Sequence, residues 1–447
     1  MERSLTRFVI ASFCVLLLLS ISLTETKAQK KASNANNWPE WRGQYNSGSV
    51  MGGNTPSEFS ETKNLNWKIE IPGKGQATPV VWGNQVIVMT AVATDKKPEK
   101  VVVSAASRMA SNSTEFIHQF MVISVDKNTG KINWKTVVKE ELPAERTHEL
   151  GSWASNSPVT DGENIFACFG SRGLFCLDMK GNIKWERNFG KMEIVASFGE
   201  GSSPALSKDK IFIQWDHQGK SCIYALNKKT GEDVWRKDRE EITSWATPLV
   251  VDINGKTQVI TSATNKARSY DSETGEIIWE CSGLTRNVIP CPVYGDGIVY
   301  LMSGFMGNML KAIDLAKATG DVTGTPAILW EYKQDTPYTP SPLLMDGKLY
   351  FLKANNGMLT CLDAKDGKVI YSNQKLNGVN SIYSSPTGNK DKIYVAATGV
   401  VDVVKAGSNF ELISQNALDD TFEASPIITG NDLILRGYKY LYSFSIK

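Results

Sequence analysis

Residues 201–235 read G-S-S-P-A-L-S-K-D-K-I-F-I-Q-W-D-H-Q-G-K-S-C-I-Y-A-L-N-K-K-T-G-E-D-V-W. Short apolar or alternating runs are separated by Gly, Asp, Asn and Lys, a pattern that predicts short strands joined by tight turns. The predicted strands are 205–207, 211–215, 221–226 and 232–235. One antiparallel sheet of this size cannot bury both of its faces, so we expect it to pack between copies of itself.

A small residue followed by proline recurs at the start of each such unit. The eight copies are Thr78-Pro79, Ser157-Pro158, Ser203-Pro204, Thr247-Pro248, Cys291-Pro292, Ser341-Pro342, Ser385-Pro386 and Ser425-Pro426. After the second copy, successive prolines are about 40 to 50 residues apart, the spacing of four-stranded propeller blades. The first interval is longer because residues 91–118 are inserted there, and we expect this polar segment to form a loop or an extended hairpin.

The second half of each unit carries a turn followed by tryptophan. The pattern is D-K-N-T-G-K-I-N-W at residues 126–134; residues 178–185, 227–235 and 271–279 follow it, residues 363–371 end in Tyr, and residues 314–330 contain an insertion. Asp or Asn ahead of Thr-Gly favours a tight turn between the third and fourth strands. We expect the closing indole to pack between neighbouring blades.

The last unit lacks its fourth strand. Residues 423–447 predict three strands, with no Thr-Gly turn and no Trp. The missing pattern, N-L-N-W-K, lies at residues 64–68, and we expect Trp67 to lie on a strand paired with residues 441–445. Alternating hydrophobicity alone suits a sandwich equally well. The eightfold register and the split unit favour an all-β, eight-bladed propeller, because its closure protects the sheet edges.

The N-terminus has the pattern of a secretory leader. Arg3 and Arg7 precede an apolar segment at residues 8–23, and Thr26-Lys27-Ala28 provides small residues for cleavage. A signal anchor is the alternative, although the apolar run is short for a bilayer span, and no later stretch would span a membrane. The domain assignment is signal peptide 1–28, N-terminal arm 29–63 and propeller 64–447. We therefore expect an exported protein, periplasmic or extracellular.

Charge and cysteine content argue against two kinds of site. The formal net charge is +2 and no strand face collects basic residues, so nucleic-acid binding is not supported. The cysteines after the leader lack C-x-x-C spacing, so a zinc site is not supported. Cys281 and Cys291 flank one loop and are the pair favoured for a disulfide, with Cys168 and Cys176 as a further candidate. We expect most of the cysteines to be buried small apolar residues.

The repeat resembles that of a known family. The D-x-x-T-G-x-x-x-W element resembles the tryptophan-docking repeat of pyrroloquinoline-quinone (PQQ) propellers. Trp38-Pro39-Glu40-Trp41-Arg42-Gly43 resembles the opening motif of secreted bacterial PQQ-like propellers. Similar segments are Phe169-Gly170-Ser171-Arg172-Gly173, Phe198 to Pro204, Trp215-Asp216-His217, Trp245-Ala246-Thr247-Pro248 and Leu435-Arg436-Gly437. The resemblance covers almost the whole mature chain, and such proteins are often named after the propeller lipoprotein BamB, which implies a fold rather than a function.

Propeller topology places the unusual residues on one face. Loops between blades, and loops between strands two and three, open on this face, whereas the Thr-Gly turns open on the other. Acidic, basic, amide and indole groups therefore converge around one mouth of the channel, as in a ligand site. The candidate residues are Trp153, Asn156, Arg172, Glu200, Asp216, His217, Trp245, Arg268, Arg286, Asn287, Tyr338, Asn355 and Arg436. The alternative is that exposed loops are simply polar, with Arg and Glu pairing across blades.

His217 is the most distinctive of these residues. It is one of 3 histidines and follows Asp216, a neighbourhood that would suit a general base. Adjacent strand residues point to opposite faces, however, which favours a hydrogen-bonded structural histidine. The sequence contains no G-x-S-x-G elbow, H-E-x-x-H motif or phosphate loop, so no catalytic residue is assigned.

The resemblance implies two functions. A PQQ-dependent, alcohol-type dehydrogenase would need PQQ, a Ca²⁺ ion held by oxygen ligands and an Asp base. Those enzymes resemble this chain in their repeat but carry a vicinal Cys-Cys pair and more blade insertions, which this sequence lacks. We therefore favour a monomeric, cofactor-free and non-catalytic propeller that binds a protein segment or polymer on the candidate face, with envelope assembly as one role. The dehydrogenase is the alternative.

Overall fold

The chain folds into eight antiparallel sheets in a ring, which confirms the predicted all-β, eight-bladed propeller. The computed structural model describes residues 36–99, 112 and 114–447. The predicted signal peptide lies outside these residues, as do residues 100–111 and 113 of the predicted insertion. No helix within them has the length and apolar character to cross a membrane.

Blades one to seven run from an inner strand to an outer strand in chain order, whereas the outer strand of blade eight comes from the N-terminal arm. The arm contributes β1 (Ser49–Val50) and β2 (Leu65–Glu70). Blade one contains β3 (Val80–Trp82), β4 (Gln85–Ala93), β5 (His118–Asp126) and β6 (Ile132–Glu141); blade two contains β7 (Val159–Thr160), β8 (Asn164–Cys168), β9 (Leu174–Asp178) and β10 (Ile183–Arg187). Blade three contains β11 (Ala205–Leu206), β12 (Lys210–Trp215), β13 (Cys222–Asn227) and β14 (Asp233–Asp238); blade four contains β15 (Leu249–Ile253), β16 (Lys256–Thr261), β17 (Lys266–Asp271) and β18 (Ile277–Ser282).

The second half of the ring follows the same order. Blade five contains β19 (Val293–Gly295), β20 (Ile298–Ser303), β21 (Met309–Asp314) and, after the short β22 (Gly320–Asp321) that extends blade four, β23 (Ile328–Tyr332). Blade six contains β24 (Leu343–Met345), β25 (Lys348–Leu352), β26 (Met358–Asp363) and β27 (Val369–Lys375); blade seven contains β28 (Thr387–Asn389), β29 (Lys392–Ala397), β30 (Val400–Lys405) and β31 (Leu412–Ala417). Blade eight contains β32 (Ile427–Thr429), β33 (Asp432–Arg436) and β34 (Tyr440–Phe444). Two 3₁₀ turns lie at Gly170–Arg172 and Val195–Ser197.

Blade three matches the four strands predicted for residues 201–235, with one difference at its outer edge. The fourth strand does not end at Trp235 but continues to Asp238, because Asp238 pairs with Cys222 at the far end of β13. The sequence pattern ended at the indole, whereas the strand ends where its partner strand begins. A register shift between Ala225 and Leu226 marks a bulge at the start of this pairing.

The N-terminal strand β2 completes blade eight, as predicted. It pairs antiparallel with β34, and Trp67 lies opposite Ser443. The arm adds a feature that the repeat did not predict: β1 pairs in parallel with β28, the inner strand of blade seven. The chain therefore contacts blade seven before it closes blade eight.

Five of the six predicted tryptophans form a docking shell around the outer turns, and Trp279 is the exception. In five places an indole lies against the turn glycine of the next blade, so that a Cβ on that glycine would approach the ring to within 2.6 to 2.8 Å. The pairs are Trp67 with Gly130, Trp134 with Gly181, Trp185 with Gly231, Trp235 with Gly275, and Trp330 with Gly367. Four of these indoles donate Nε1–H to a backbone carbonyl in the adjoining turn, as Trp67 does to Lys127 at 2.8 Å. Together these contacts fix the blade-to-blade spacing.

The small residues before proline form a hydroxyl ring around the central axis. Ser157 N–H donates to Ser203 Oγ at 2.9 Å, and Ser203 N–H donates to Thr247 Oγ1 at 3.0 Å. The same bond repeats from blade to blade as far as Ser425 N–H, which donates to Thr78 Oγ1 at 2.9 Å. The repeated Ser-Pro and Thr-Pro pairs thus satisfy inner backbone donors that have no strand partner.

The cysteine predictions need one correction. The favoured Cys281–Cys291 disulfide is absent, and the six cysteines of the described residues are free and buried. Cys281 lies on β18 at the outside of blade four, whereas Cys291 takes the place of a hydroxyl in the inner ring and its Sγ accepts from Thr247 N–H at 2.9 Å. The two positions flank one loop in sequence but lie at opposite ends of the radius of the propeller. Burial as small apolar side chains is confirmed.

Candidate functional site

The N-terminal arm closes one end of the central channel. Trp38 exchanges two backbone hydrogen bonds of 2.8 Å with Val81 in blade one. Further along the arm, Arg42 Nη2 donates to the carbonyl oxygens of Pro342 and Pro386, at 2.9 and 3.0 Å, in blades six and seven. The arm therefore crosses the axis on the face that carries the hairpins between strands one and two.

A cavity opens at the other end of the channel, and we call it the cup. Its volume is ≈ 440 Å³, and Trp41 of the arm contributes to its lining. Aromatic, hydroxyl and carboxyl side chains converge in it. The aromatic members are Trp41, Phe198, Trp245, Phe305, Tyr338 and Tyr383; the polar members are Gln76, Thr78, His148, Ser155, Ser157, Glu200, Ser203, Thr339, Glu423 and Ser425. A concave, mostly apolar site with a few polar groups is typical of ligand binding.

One residue from each blade lines the cup at an equivalent position of the repeat. This residue lies two places before the hydroxyl-ring residue, and we call the set the collar. Its members, from blade one to blade eight, are Gln76, Ser155, Gly201, Trp245, Ile289, Thr339, Tyr383 and Glu423. The hydroxyl ring fixes where each collar residue lies, because the backbone bond two residues later locks the inner segment to the next blade.

Aromatic contacts and hydrogen bonds hold the walls of the cup. Phe305 and Tyr338 stack with ring centroids 4.8 Å apart. Trp245 donates its Nε1–H to Gly199 O at 2.8 Å, so its indole orientation is fixed. The ring of His148 lies edge-on to Phe198, and its Nδ1 accepts from Leu150 N–H at 3.2 Å. These contacts fix the orientation of the rings that line the cup.

The two carboxyl groups in the cup differ in how they are paired. Glu200 accepts from Ser171 N–H at 2.8 Å and from the Ser171 hydroxyl, and it lies 3.5 Å from Arg172 Nη1. Glu423 has no ion-pair partner among the described residues, and its Oε2 is buried without a hydrogen bond. Burial raises the pKa of Glu423 to about 7. Glu200 therefore serves to join blades two and three, whereas Glu423 is available to a ligand.

Three of the thirteen predicted site residues line the cup: Glu200, Trp245 and Tyr338. Three others lie in segments next to it. Asn355 Oδ1 accepts from Thr339 N–H at 2.9 Å and so positions a collar residue. Arg286 is exposed and pairs with Phe305 through a backbone bridge, and Asn287 follows it in the same loop.

The other seven predicted residues do not line the cup. Asp216 is fully buried, with Oδ1 2.7 Å from Arg239 Nε and Oδ2 3.1 Å from Arg239 Nη2. His217 is 7% exposed, and its Nδ1 accepts from Glu193 N–H and Gly219 N–H at 3.2 Å each. A ring nitrogen held by two backbone donors fits the structural role that the sequence favoured for His217.

Arg172, Arg268 and Arg436 are also buried. Arg172 lies between Glu141 and Glu200, and Arg268 pairs with Glu241 at 2.8 Å and with Glu280 at 3.2 Å. The guanidinium nitrogens of Arg436 have no hydrogen-bond partner among the described residues, and burial lowers its pKa to about 10 although Asp420 opposes this shift. The remaining two residues are Trp153, which donates to Glu145 O at 2.8 Å, and Asn156, which donates to Ser202 O at 2.5 Å. These side chains pack within the scaffold and do not line the cup.

The sequence analysis missed most of the cup. Trp41, Phe198, Phe305, Tyr383 and Glu423 were not candidates, although all five line it. The register of the repeat contains the signal that would have found the collar. The residue two places before each hydroxyl-ring residue lines the cup in all eight units. Most of the predicted residues carry charged or amide side chains, and many of these pair inside the scaffold.

The lining of the cup does not fit PQQ. The cofactor is a polycarboxylate, and the described residues that line the cup include two glutamates but no Lys or Arg. The Ca²⁺ ion of such a site needs several oxygen ligands, and no cluster of three or more His, Cys, Asp or Glu residues suited to a metal occurs in the described part of the chain.

Comparison with known proteins places this architecture in a wider group. A family model described as outer membrane protein assembly factor BamB matches residues 50–218, 118–373 and 219–436. No curated protein matches the sequence.

Solved structures with this fold come from proteins of different kinds. BamB from Moraxella catarrhalis is 15% identical, with a TM-score of 0.58 over 86% of this chain and 99% of that chain. The designed protein Ika8 is 12% identical, with a TM-score of 0.56 over 84% and 98%. Quinohemoprotein alcohol dehydrogenase from Comamonas testosteroni is 11% identical, with a TM-score of 0.50 over 92% and 81%. At these identities the likeness shows the fold alone.

Proposed function

This chain belongs to the family described as outer membrane protein assembly factor BamB, and on that premise we propose that it is a non-catalytic binding propeller. In this proposal the protein is exported and captures a segment of a protein or polymer on the face that carries the cup. The cup receives one group of that segment, and the surrounding loops contact the rest. Assembly in the cell envelope is the process that the family name favours.

The observation that supports this proposal is the cup itself. Six aromatic side chains surround a cavity of ≈ 440 Å³, a size that suits a side chain or a single monomer of a polymer. Buried aromatic anchors dominate the binding energy of many interfaces. The repeat supplies the scaffold, and the arm closes the far end, so the cup is a blind pocket open on one face.

A selection experiment tests the proposal. The full mature chain is used to select peptides from a random library, and the dissociation constant of the tightest peptide is measured by calorimetry. Tyr338→Ala and Tyr383→Ala are each expected to weaken binding by about tenfold or more, as for buried aromatic anchors. The matched control is Tyr45→Ala: Tyr45 lies on the arm and is 45% exposed, so this change is expected to leave affinity unchanged.

The result that contradicts the proposal is equally specific. If Tyr338→Ala and Tyr383→Ala bind the selected peptides as tightly as the wild type, the cup is not the binding site. Thermal unfolding of each variant accompanies the measurement, since only variants with wild-type unfolding temperature bear on the question.

A further inference from the structure

The charges in the cup are unequal, and this inequality indicates what kind of group it accepts. Of the described residues in its lining, His148, Glu200 and Glu423 can carry charge near neutral pH, and none is Lys or Arg. Glu200 is already compensated by Arg172 and by hydrogen bonds from Ser171. The uncompensated group is Glu423, whose buried oxygen costs free energy as long as it lacks a partner.

Glu423 lies in a corner of the cup with other unsatisfied oxygens. Gln76 Oε1, Glu423 Oε2 and the Tyr438 hydroxyl are buried and make no hydrogen bond of normal geometry with a described residue, and the Tyr438 hydroxyl lies against Gln76. Gln76 and Glu423 are collar residues of the neighbouring blades one and eight. Tyr383 of blade seven lies close enough for the charge of Glu423 to raise the pKa of its hydroxyl, after the larger effect of burial. Oxygens that accept hydrogen bonds thus converge beside an aromatic ring.

This corner matches one class of ligand. A primary ammonium group offers three N–H donors and a positive charge, whereas Glu423 and Gln76 offer a carboxylate and an amide oxygen. The aromatic walls favour a cation by its attraction to the ring faces, and they also accommodate the alkyl stem of a lysine side chain. A carboxylate or phosphate would meet two glutamates and no Lys or Arg in the described lining.

We propose that the cup binds a primary ammonium group, such as the side chain of a lysine in the captured segment, through Glu423 and Gln76. This inference rests on the proposed function, because it names the chemistry of the group that enters the cup. Charge complementarity provides specificity: a neutral side chain of the same length leaves Glu423 unpaired.

Binding of this cation depends on pH in a definite direction. Because the pKa of Glu423 is raised to about 7, the carboxylate forms as the pH rises through 7, and affinity for ammonium increases over that range. Other titratable groups near it are His148 in the lining and Glu149, Tyr383 and Tyr438, whose charges couple to the same corner. The Glu423→Gln variant below isolates the contribution of Glu423 from that of these neighbours.

The test uses two probes that differ in one group. Nα-acetyl-lysine N-methylamide carries the ammonium, and Nα-acetyl-norleucine N-methylamide replaces it with a methyl-terminated chain. Ligand-observed NMR at pH 8 on the full mature chain is expected to show the lysine probe binding at least about tenfold more tightly, as for a charge-assisted hydrogen bond. Glu423→Gln is expected to remove this preference and the rise in affinity between pH 6 and pH 8.

A matched control distinguishes the site from net charge. Glu163 is exposed on the hairpin between β7 and β8, on the opposite face, so Glu163→Gln makes the same charge change and is expected to leave the preference intact. Equal affinity for the two probes overturns the inference, as does a preference that survives in Glu423→Gln or a lysine probe that does not bind. If selected peptides still depend on Tyr338 and Tyr383 in that case, the binding function stands and its ammonium chemistry fails.

Discussion

The docking shell and the collar both repeat around the ring, but they repeat in different ways. In the shell, five blades place an indole on the turn glycine of the next blade. In the collar, the eight equivalent positions carry Gln, Ser, Gly, Trp, Ile, Thr, Tyr and Glu. Uniform residues thus occupy the outer turns that join the blades, and diverse residues occupy the inner position that lines the cup. The shell accounts for the fold, and the collar is the inner position at which the blades of this chain differ from one another.

This difference predicts which substitutions should change stability and which should change binding. A change in the shell disturbs the contact between two blades and should lower stability. A change in the collar alters a surface that faces the cup and should alter binding with little effect on stability.

Deletion of residues 29–70 is expected to have the largest effect. It removes β1 and β2, which leaves the outer edge of blade eight unpaired and takes Trp67 off Gly130. An open edge in a ring affects every blade through its neighbours, so thermal unfolding should become less cooperative and shift to much lower temperature. An unchanged unfolding curve would show that closure by β2 does not stabilise the ring.

A single methyl group tests one contact of the shell. Gly231→Ala places a Cβ 2.6 Å from Trp185 Cε3 on a backbone with φ of +74°, and we expect a loss of about 2 to 4 kcal/mol from strain and overpacking. Gly255→Ala is the matched control: its φ is +80° and nothing lies within 4 Å of the added Cβ, so the expected loss is about 1 kcal/mol. Denaturant unfolding measures both. Equal losses would mean that the indole contact contributes little.

A buried carboxyl in blade seven predicts a pH dependence of stability. Burial raises the pKa of Asp402 to about 6, against a lowering contribution from Gln415. A raised carboxyl pKa means that the folded state binds the proton more tightly, so this group lowers stability as the pH rises from about 4 to about 6. Asp402→Asn should therefore raise the free energy of unfolding by up to about 3 kcal/mol at pH 8 and much less at pH 4. A gain that is equal at both pH values would contradict the assignment.

The smallest expected effect is that of the quinone cofactor. Titration of the purified chain with PQQ and Ca²⁺ should leave its absorbance and its unfolding temperature unchanged, because the described cup lining has two glutamates and no basic side chain. Dye-linked alcohol oxidation should stay at background. Tight binding would restore the dehydrogenase alternative and would require basic groups from outside the described lining.

The fold could be predicted from the sequence because its determinants are local and repeated. The number of blades and the closure of the ring are predicted by three features of the sequence: the Ser-Pro and Thr-Pro pairs, the turn before each Trp, and the displaced strand at Trp67. The site could be predicted only in part. Polar side chains that stand out in the sequence often pair with one another inside the fold and do not face a ligand. Asp216 and Arg239 form one buried ion pair, because the ends of β12 and β14 both pair with the start of β13, an arrangement that spacing does not reveal. The contribution of Trp41 to the lining of the cup could not be predicted from the sequence either, because it requires the N-terminal arm to cross the axis of the propeller.

The claim that this propeller binds its partner at the cup can be tested by hydrogen exchange of the mature chain, measured with and without a selected peptide. The account predicts new protection in the collar segments around Gln76, Thr339, Tyr383 and Glu423, with the outer Thr-Gly turns unchanged. Protection confined to the outer turns or to the arm, with the collar segments unaffected, would contradict the claim that this propeller binds its partner at the cup.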